Sequence, residues 1–143
     1  MKHGFAFTKN TLKQLKDHPK EVRDKLYRNF IAFFKAGHDP DVLPGKYKPD
    51  WEAKFVESPM VEGFIELAKD MNIHHYHFGY KFYEDGRDKD YPGNVSAGII
   101  HNRIEVKPNH TQHVIIDVCL KHPSPFKSPW GHYKDEAIEK DAI

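Results

Sequence analysis

The sequence lacks the features that mark several classes of protein. Cys119 is the single cysteine, which excludes an intramolecular disulfide and is typical of proteins from a reducing compartment. No apolar run approaches the roughly 18 residues of a membrane span, and no signal peptide opens the chain. Internal repeats and low-complexity segments are also absent from the sequence. We therefore expect a cytoplasmic protein that has no membrane partner.

A strong net charge is missing as well, since the formal charge of the 143 residues is +1. The charge is unevenly spread, because residues 1–50 hold 11 Lys and Arg against 6 Asp and Glu, a net +5. Such a basic part favours contact with nucleic acid or with an acidic partner chain. The length predicts a single domain over 1–143, and 13% aromatic residues are typical of a folded chain.

Residues 73–83 alternate with the period of a half-buried strand. Tyr76, Phe78, Tyr80 and Phe82 are expected to face the core. His75, His77, Lys81 and Tyr83 are expected to face solvent. A solvent face with two imidazoles, an ammonium and a phenol invites a functional interpretation, although a solvated strand that is rich in histidine gives the same pattern.

The first third of the chain predicts a strand at residues 4–8 and two helices. The first helix runs from Asn10 as N-cap to Lys16. The second begins at Pro19 and ends at Gly37, which supplies a left-handed stop. Its apolar residues recur on one face, and Lys20, Arg23, Lys25 and Arg28 occupy much of the rest.

The remaining elements follow from Pro and Gly punctuation and from apolar runs. Residues 38–63 predict a long loop, and residues 61–71 predict a short helix or a strand. Residues 99–106 predict a strand with His101 and Arg103 facing outward. The nearly continuous apolar run at 113–122 predicts a central strand that is buried on both faces. Residues 128–143 are expected to form a frayed tail or a short terminal helix.

Four segments stand out within this order of elements: FIAFFKAG at 30–37, VLPGKY at 42–47, IHHYH at 73–77 and VIIDVCLKHP at 114–123. With these segments, the order of elements resembles the RelE superfamily of bacterial toxins, and more narrowly its YafO-like branch. The resemblance covers roughly residues 5–127. It implies an α+β, RelE-like fold, in which an N-terminal strand and two helices are followed by an antiparallel sheet.

The resemblance also implies a function. A chain of this kind is the toxin component of a type II toxin–antitoxin system, an endoribonuclease that cuts mRNA on the ribosome. A cognate antitoxin protein holds it inactive. The superfamily uses no metal cofactor and varies its catalytic residues among His, Lys, Arg, Tyr and Glu.

Metal-free RNA cleavage needs a base for the 2′-OH proton, cations around the phosphate and an acid for the leaving 5′ oxygen. Histidine suits both proton-transfer roles, and the planar fork of arginine suits a phosphate. We expect His101 and His122 to be the proton-transfer pair, with Arg103, Lys81 and Lys121 as cations. The expected RNA-binding residues are His75, His77, Tyr80, Tyr83, Lys20 and Arg23. Because the side chains of His101, Arg103 and His122 are expected to point away from the core, their replacement should leave the fold intact.

Two other function classes compete with this hypothesis. His75 and His77 form an H-x-H pair, and His101 is expected on the neighbouring strand, so three imidazoles would make a zinc or iron site of a metal-dependent enzyme. The near-neutral charge favours a third class, a non-catalytic binding or immunity-type protein.

Overall fold

A six-stranded sheet forms the centre of the computed structural model, which describes residues 2–38, 42–52, 61–80, 83–86, 90–91, 93–121 and 128–140. The strands are β1 (Lys2–Thr8), β2 (Tyr47–Pro49), β3 (Ile73–His77), β4 (Ile99–Val106), β5 (His110–Cys119) and β6 (Ala137–Lys140). They lie in the order β2-β3-β4-β5-β1-β6. All neighbours are antiparallel except β1 and β5, which are parallel, so the sheet is mixed.

Helices cover both faces of this sheet. They are α1 (Lys9–Asp17), α2 (Lys20–Leu26), α3 (Ala32–Lys35) and α4 (Val61–Asp70). A π-helical turn at Tyr27–Ile31 joins α2 to α3. Short 3₁₀ turns lie at Asp50–Glu52 and Trp130–His132. None of the helices in the described ranges is long and apolar enough to span a membrane.

Local sequence explains where the first helices begin and end. The Thr8 side chain caps α1 by accepting a hydrogen bond from the Thr11 N–H at 3.2 Å, so the cap lies two residues before the predicted Asn10. Pro19 is the N-cap of α2, one residue before the helix. Gly37 has a φ of +87° just after α3, which confirms it as the left-handed stop.

The α1–α3 face of the sheet carries the larger part of the core. Its buried side chains include Phe5, Phe7, Leu26, Phe30, Phe34, Tyr76, Phe78 and Ile115. Phe30 is central, since its ring packs against Phe5, Phe34 and Tyr76 with centroids 4.8–5.8 Å apart. This face contains the aromatic side of β3 that the alternation predicted.

The α4 face is smaller and is covered from two distant parts of the chain. Ala68 of α4 and Tyr133, which follows the second 3₁₀ turn, pack there against Ile73, Ile99 and Val114. The sheet is therefore buried on both faces, and side chains that alternate along β3 and β4 enter one core or the other.

Several sequence predictions differ from these elements. The fold is α+β, as expected, but the sheet is mixed rather than antiparallel. The predicted loop at 38–63 contains β2, which pairs with β3. The predicted tail contains β6, which pairs with β1. The segment at 61–71, for which the sequence predicted either a short helix or a strand, forms α4. The antiparallel order of β3, β4 and β5 and the central, buried position of β5 confirm the prediction for these three strands.

Candidate functional site

The polar side of β3 and β4 lies in the protein interior. His75 and His77 are each 3% exposed, His101 is 1% exposed and Arg103 is 8% exposed. The expectation that these four side chains face solvent was wrong. The alternation was correct, but α4, the 3₁₀ turn after β2 and the segment around Tyr133 cover this face. No pattern within the strands themselves signals that cover.

A buried carboxylate joins two of these histidines. His75 and His101 are directly paired in the register of β3 with β4, and Asp50 follows the last residue of β2. His75 Nδ1 lies 2.7 Å from Asp50 Oδ1, and His101 Nε2 lies 3.1 Å from Asp50 Oδ2. Three strands of the sheet thus bring one carboxylate and two imidazoles together.

Two hydroxyl groups connect Asp50 to the C-terminal segment. Ser128 Oγ donates a hydrogen bond to Asp50 Oδ2 at 2.5 Å, and it also contacts the hydroxyl of Tyr133. Ser128 is 2% exposed, and Tyr133 and Asp50 are fully buried. The segment that contains Ser128 and Tyr133 therefore helps to fix the orientation of the carboxylate.

Electrostatics keep this carboxylate ionised. Burial alone would raise the pKa of the Asp50 carboxyl, because it disfavours the charged form. The neighbouring imidazole of His101 and the hydrogen bonds from His101 and His75 outweigh burial and hold the pKa well below its usual range. The cluster consequently holds an ionised carboxylate between two imidazoles. His75, His101 and Asp50 offer ligand atoms that all lie within 4.8 Å of one another.

The other two buried residues of this face have separate partners. His77 Nδ1 accepts a hydrogen bond from the Ser96 N–H at 2.9 Å, which ties the end of β3 to the segment before β4. Arg103 Nη1 donates to the carbonyl oxygens of Tyr133 and Asp135 at 2.7 and 2.9 Å. Its Nε donates to Glu105 at 2.9 Å. For Arg103 to bind a phosphate, these bonds would first have to break.

The remaining candidates lie in different places. Lys20 and Arg23 are exposed on α2, and Lys121 is exposed just after β5. Tyr80 is half-buried beside the α1–α3 core, and the Tyr83 hydroxyl donates to the carbonyl of His77 at 3.0 Å. Lys81 and His122 lie outside the described residues.

Several candidates do share one end of the sheet. In the register of the strands, His77, Ile99 and Cys119 are neighbours, so β3 and β5 end where β4 begins. Lys121 follows β5 at this end. Lys25 reaches the same end, since its Nζ donates to the carbonyl oxygen of Gly79 at 3.1 Å. The structure thus brings one cation of α2 to the end of β3, on the same end of the sheet as Lys121.

A second histidine cluster occupies the α1–α3 face. His113 is 2% exposed and stacks on Phe5 with ring centroids 4.9 Å apart. Its two ring nitrogens lie 3.0 Å from His3 Nδ1 and 3.2 Å from the amide nitrogen of Asn102. Burial, followed by the charges of His3 and His74, lowers the pKa of His113 to about 3. His113 is therefore a neutral core residue at pH 7.

Sequence reasoning missed Asp50, Ser128 and Tyr133. Asp50 stands in a Lys-Pro-Asp turn signal, which carries no sign of a partner 25 residues later. Ser128 and Tyr133 lie in a proline-rich stretch that predicts no regular element. Only the folded arrangement brings these residues to β3 and β4.

Comparison with models of known protein families, with curated proteins and with solved structures gives no match.

Proposed function

We propose that the chain is an mRNA endoribonuclease of the toxin type, which acts on the ribosome and is held inactive by an antitoxin. The observation that carries the proposal is the basic surface of the helices. Residues 9–38 hold 8 Lys and Arg against 3 Asp and Glu, a net +5. The exposed cations among them are Lys9, Lys13, Lys16, Lys20, Arg23, Arg28 and Lys35.

A surface of this kind suits RNA because each phosphate that a Lys or Arg neutralises releases a condensed counterion. Phosphate contacts position a protein on RNA without reading its sequence. That property fits an enzyme whose substrate is presented by the ribosome. Lys20 and Arg23, which project from α2, are assigned to phosphate binding in this proposal.

The cleavage site is assigned to the end of the sheet where β3 and β5 finish. Lys121 supplies a cation there, and Tyr80 offers a ring on which a base can stack. His122 follows Lys121 in the chain and is assigned a proton-transfer role in the attack of the 2′-OH on the phosphate. The buried His101 and Arg103 take no direct part in this version of the mechanism.

The toxin assignment is tested by expressing the chain alone from an inducible promoter in bacteria. Growth should stop, and amino-acid incorporation should fall before uridine incorporation does, because mRNA is the substrate. Mapping of mRNA 5′ ends should show new cuts within translated regions. Normal growth and protein synthesis at high, soluble expression would exclude the toxin function.

The role of the basic surface is tested with a double charge reversal, Lys20→Glu with Arg23→Glu. Loss of two phosphate contacts should weaken binding to single-stranded RNA about tenfold or more at low salt. The negative slope of the logarithm of the binding constant against the logarithm of salt concentration should also become shallower by roughly 1.4, at about 0.7 for each lost contact.

Lys69→Glu with Lys134→Glu is the matched control, since it makes the same change of net charge at exposed positions on α4 and near the C-terminal end. Equal effects of the two double variants would show that only overall charge matters, and the assignment to α2 would then be wrong.

A further inference from the structure

We propose that Asp50, His75 and His101 form a centre for a divalent transition metal, with zinc as the ion that suits the donors best. The metal would join the turn after β2 to β3 and β4 on the α4 face of the sheet. This inference does not depend on RNA cleavage, because the basic helices that carry that proposal lie on the opposite face of the sheet.

The chemistry of the donors supports the assignment. Imidazole nitrogen and carboxylate oxygen are common ligands of zinc and of other divalent first-row metals. Two histidines and one aspartate provide both types, and the negative carboxylate offsets part of the charge of a buried cation. These ligands differ from the three histidines of the H-x-H hypothesis, because Asp50 takes the place of His77. His77 Nδ1 accepts a hydrogen bond from the Ser96 N–H.

Two of the three distances between donor atoms suit a metal centre, and the third, between the two imidazole nitrogens, is no more than 4.8 Å. Ligands bound at about 2.0–2.2 Å, at octahedral or tetrahedral angles, lie roughly 2.8–3.6 Å from one another. His101 Nε2 and Asp50 Oδ2 are 3.1 Å apart, within this range. His75 Nδ1 and Asp50 Oδ1 are 2.7 Å apart, so a shift of about 0.1 Å brings this pair into the range as well.

The backbone and a second layer of contacts hold these donors in place. His75 and His101 face each other across adjacent strands, and both are at least 97% buried. Ser128 donates to Asp50 at 2.5 Å and so orients the carboxylate. Supporting hydrogen bonds of this kind are typical of metal ligands, where they fix the orientation of each donor group.

A metal ion bound at this position would also stabilise the folded protein. The three ligands lie 25 and 26 residues apart along the chain, at 50, 75 and 101. An ion that joins them closes two long segments, and its binding free energy adds to the free energy of unfolding.

The experiment begins with purified full-length protein, treated with a chelator, dialysed and then titrated with Zn²⁺. One zinc per chain should remain after gel filtration when measured by elemental analysis. The thermal midpoint should rise by roughly 5–10 °C at a hundredfold excess over the dissociation constant. Co²⁺ added instead should give a visible absorption spectrum that differs from that of the aqueous ion, and zinc should displace it.

His75→Gln and His101→Gln should each abolish stoichiometric binding. His132→Gln is the matched control, because His132 Nδ1 also lies 2.7 Å from a carboxylate, that of Asp135, but on a partly exposed site. This variant should keep one zinc per chain. The cobalt spectrum of the wild-type protein tests the proposal even where a buried variant fails to fold.

Two results would overturn the proposal. The first is wild-type protein that retains far less than one metal ion per chain, with an unchanged thermal midpoint and a cobalt spectrum like that of the aqueous ion. The second is a folded His101→Gln variant that binds zinc as tightly as the wild-type protein.

Discussion

The guanidinium of Arg103 connects β4 to the segment that follows the second 3₁₀ turn. Its three bonds go to two main-chain carbonyls and to Glu105. Arg103→Ala would leave the buried carbonyl of Tyr133 without its charged donor, so we expect a loss of about 2–4 kcal/mol in the free energy of unfolding. Urea denaturation measures this loss. Arg103→Lys should recover only part of it, because an ammonium cannot reproduce the planar fork.

Arg28→Ala is the control for Arg103, since Arg28 is exposed on the π-helical turn and should change the free energy of unfolding by no more than about 0.5 kcal/mol. Similar stability of the Arg103→Ala variant and the wild-type protein would contradict the structural role and restore Arg103 as a candidate phosphate ligand.

His113 makes the stability depend on pH. Its pKa is about 3 in the folded protein against 6.5 in the unfolded chain, so the unfolded chain binds the additional proton between these values. The contribution of His113 is therefore fully present above pH 6.5 and is lost as the pH falls towards 3. The free energy of unfolding should decrease by up to about 1.4 kcal/mol for each pH unit in this window.

Urea denaturation at pH 7, 6, 5 and 4 gives the slope. His113→Gln should lower this slope by the equivalent of up to one bound proton, whatever the variant does to the free energy of unfolding at pH 7. A slope that is unchanged in His113→Gln would show that other groups cause the acid sensitivity.

At the residue scale, the sequence predicted the side of the strand on which a side chain lies better than whether that side chain is buried. Alternation correctly separated Tyr76 and Phe78 from His75 and His77. It did not show that both sides of β3 are buried, because residues far away in the chain supply the cover of the α4 face. A histidine in the sequence does not distinguish an exposed face from a buried one, since the imidazole is compatible with solvent, with a metal and with a hydrogen-bonded core.

At the scale of single elements, Gly37 offers the sharpest test of how a helix ends. Its φ of +87° lies in the region that favours glycine, and a Cβ at this position would meet nothing within 4 Å. Any cost of Gly37→Ala therefore comes from the backbone conformation alone. We expect a loss of about 1 kcal/mol in the free energy of unfolding, measured by urea denaturation.

Gly131 is the matched control, because a Cβ there also meets nothing within 4 Å and its φ is outside the left-handed region. Gly131→Ala should be neutral or slightly stabilising. A Gly37→Ala variant as stable as Gly131→Ala would show that the end of α3 relaxes without strain.

The elements that the sequence predicted well are those with long, regular patterns. The alternation that begins at Ile73, the apolar run of β5 and the stop at Gly37 are local signals, and each was confirmed, although β3 ends at His77 rather than at Tyr83. β2 has three residues and β6 has four, which is too short for a period to appear. Their formation depends on an adjacent strand rather than on their own composition.

At the scale of the whole molecule, the sequence predicted the α+β class but not the connections of the sheet. β1 lies between β5 and β6, parallel to one and antiparallel to the other. A strand pattern shows which residues alternate, but it does not show which strand lies beside which. The cluster at Asp50 depends on the same information, because it forms only where β2, β3 and β4 are neighbours.

The central position of β1 has a consequence for the time at which the protein can fold. Lys2 pairs with His110, so roughly a hundred residues must be synthesised after β1 before its parallel neighbour exists, and β6 is made later still. At about 5–20 residues per second, a nascent chain carries β1 without either neighbour for roughly 5–20 seconds. Phe5 and Phe7, fully covered in the finished sheet, lack that cover throughout this interval. The sheet can therefore close only after residue 140 has been synthesised.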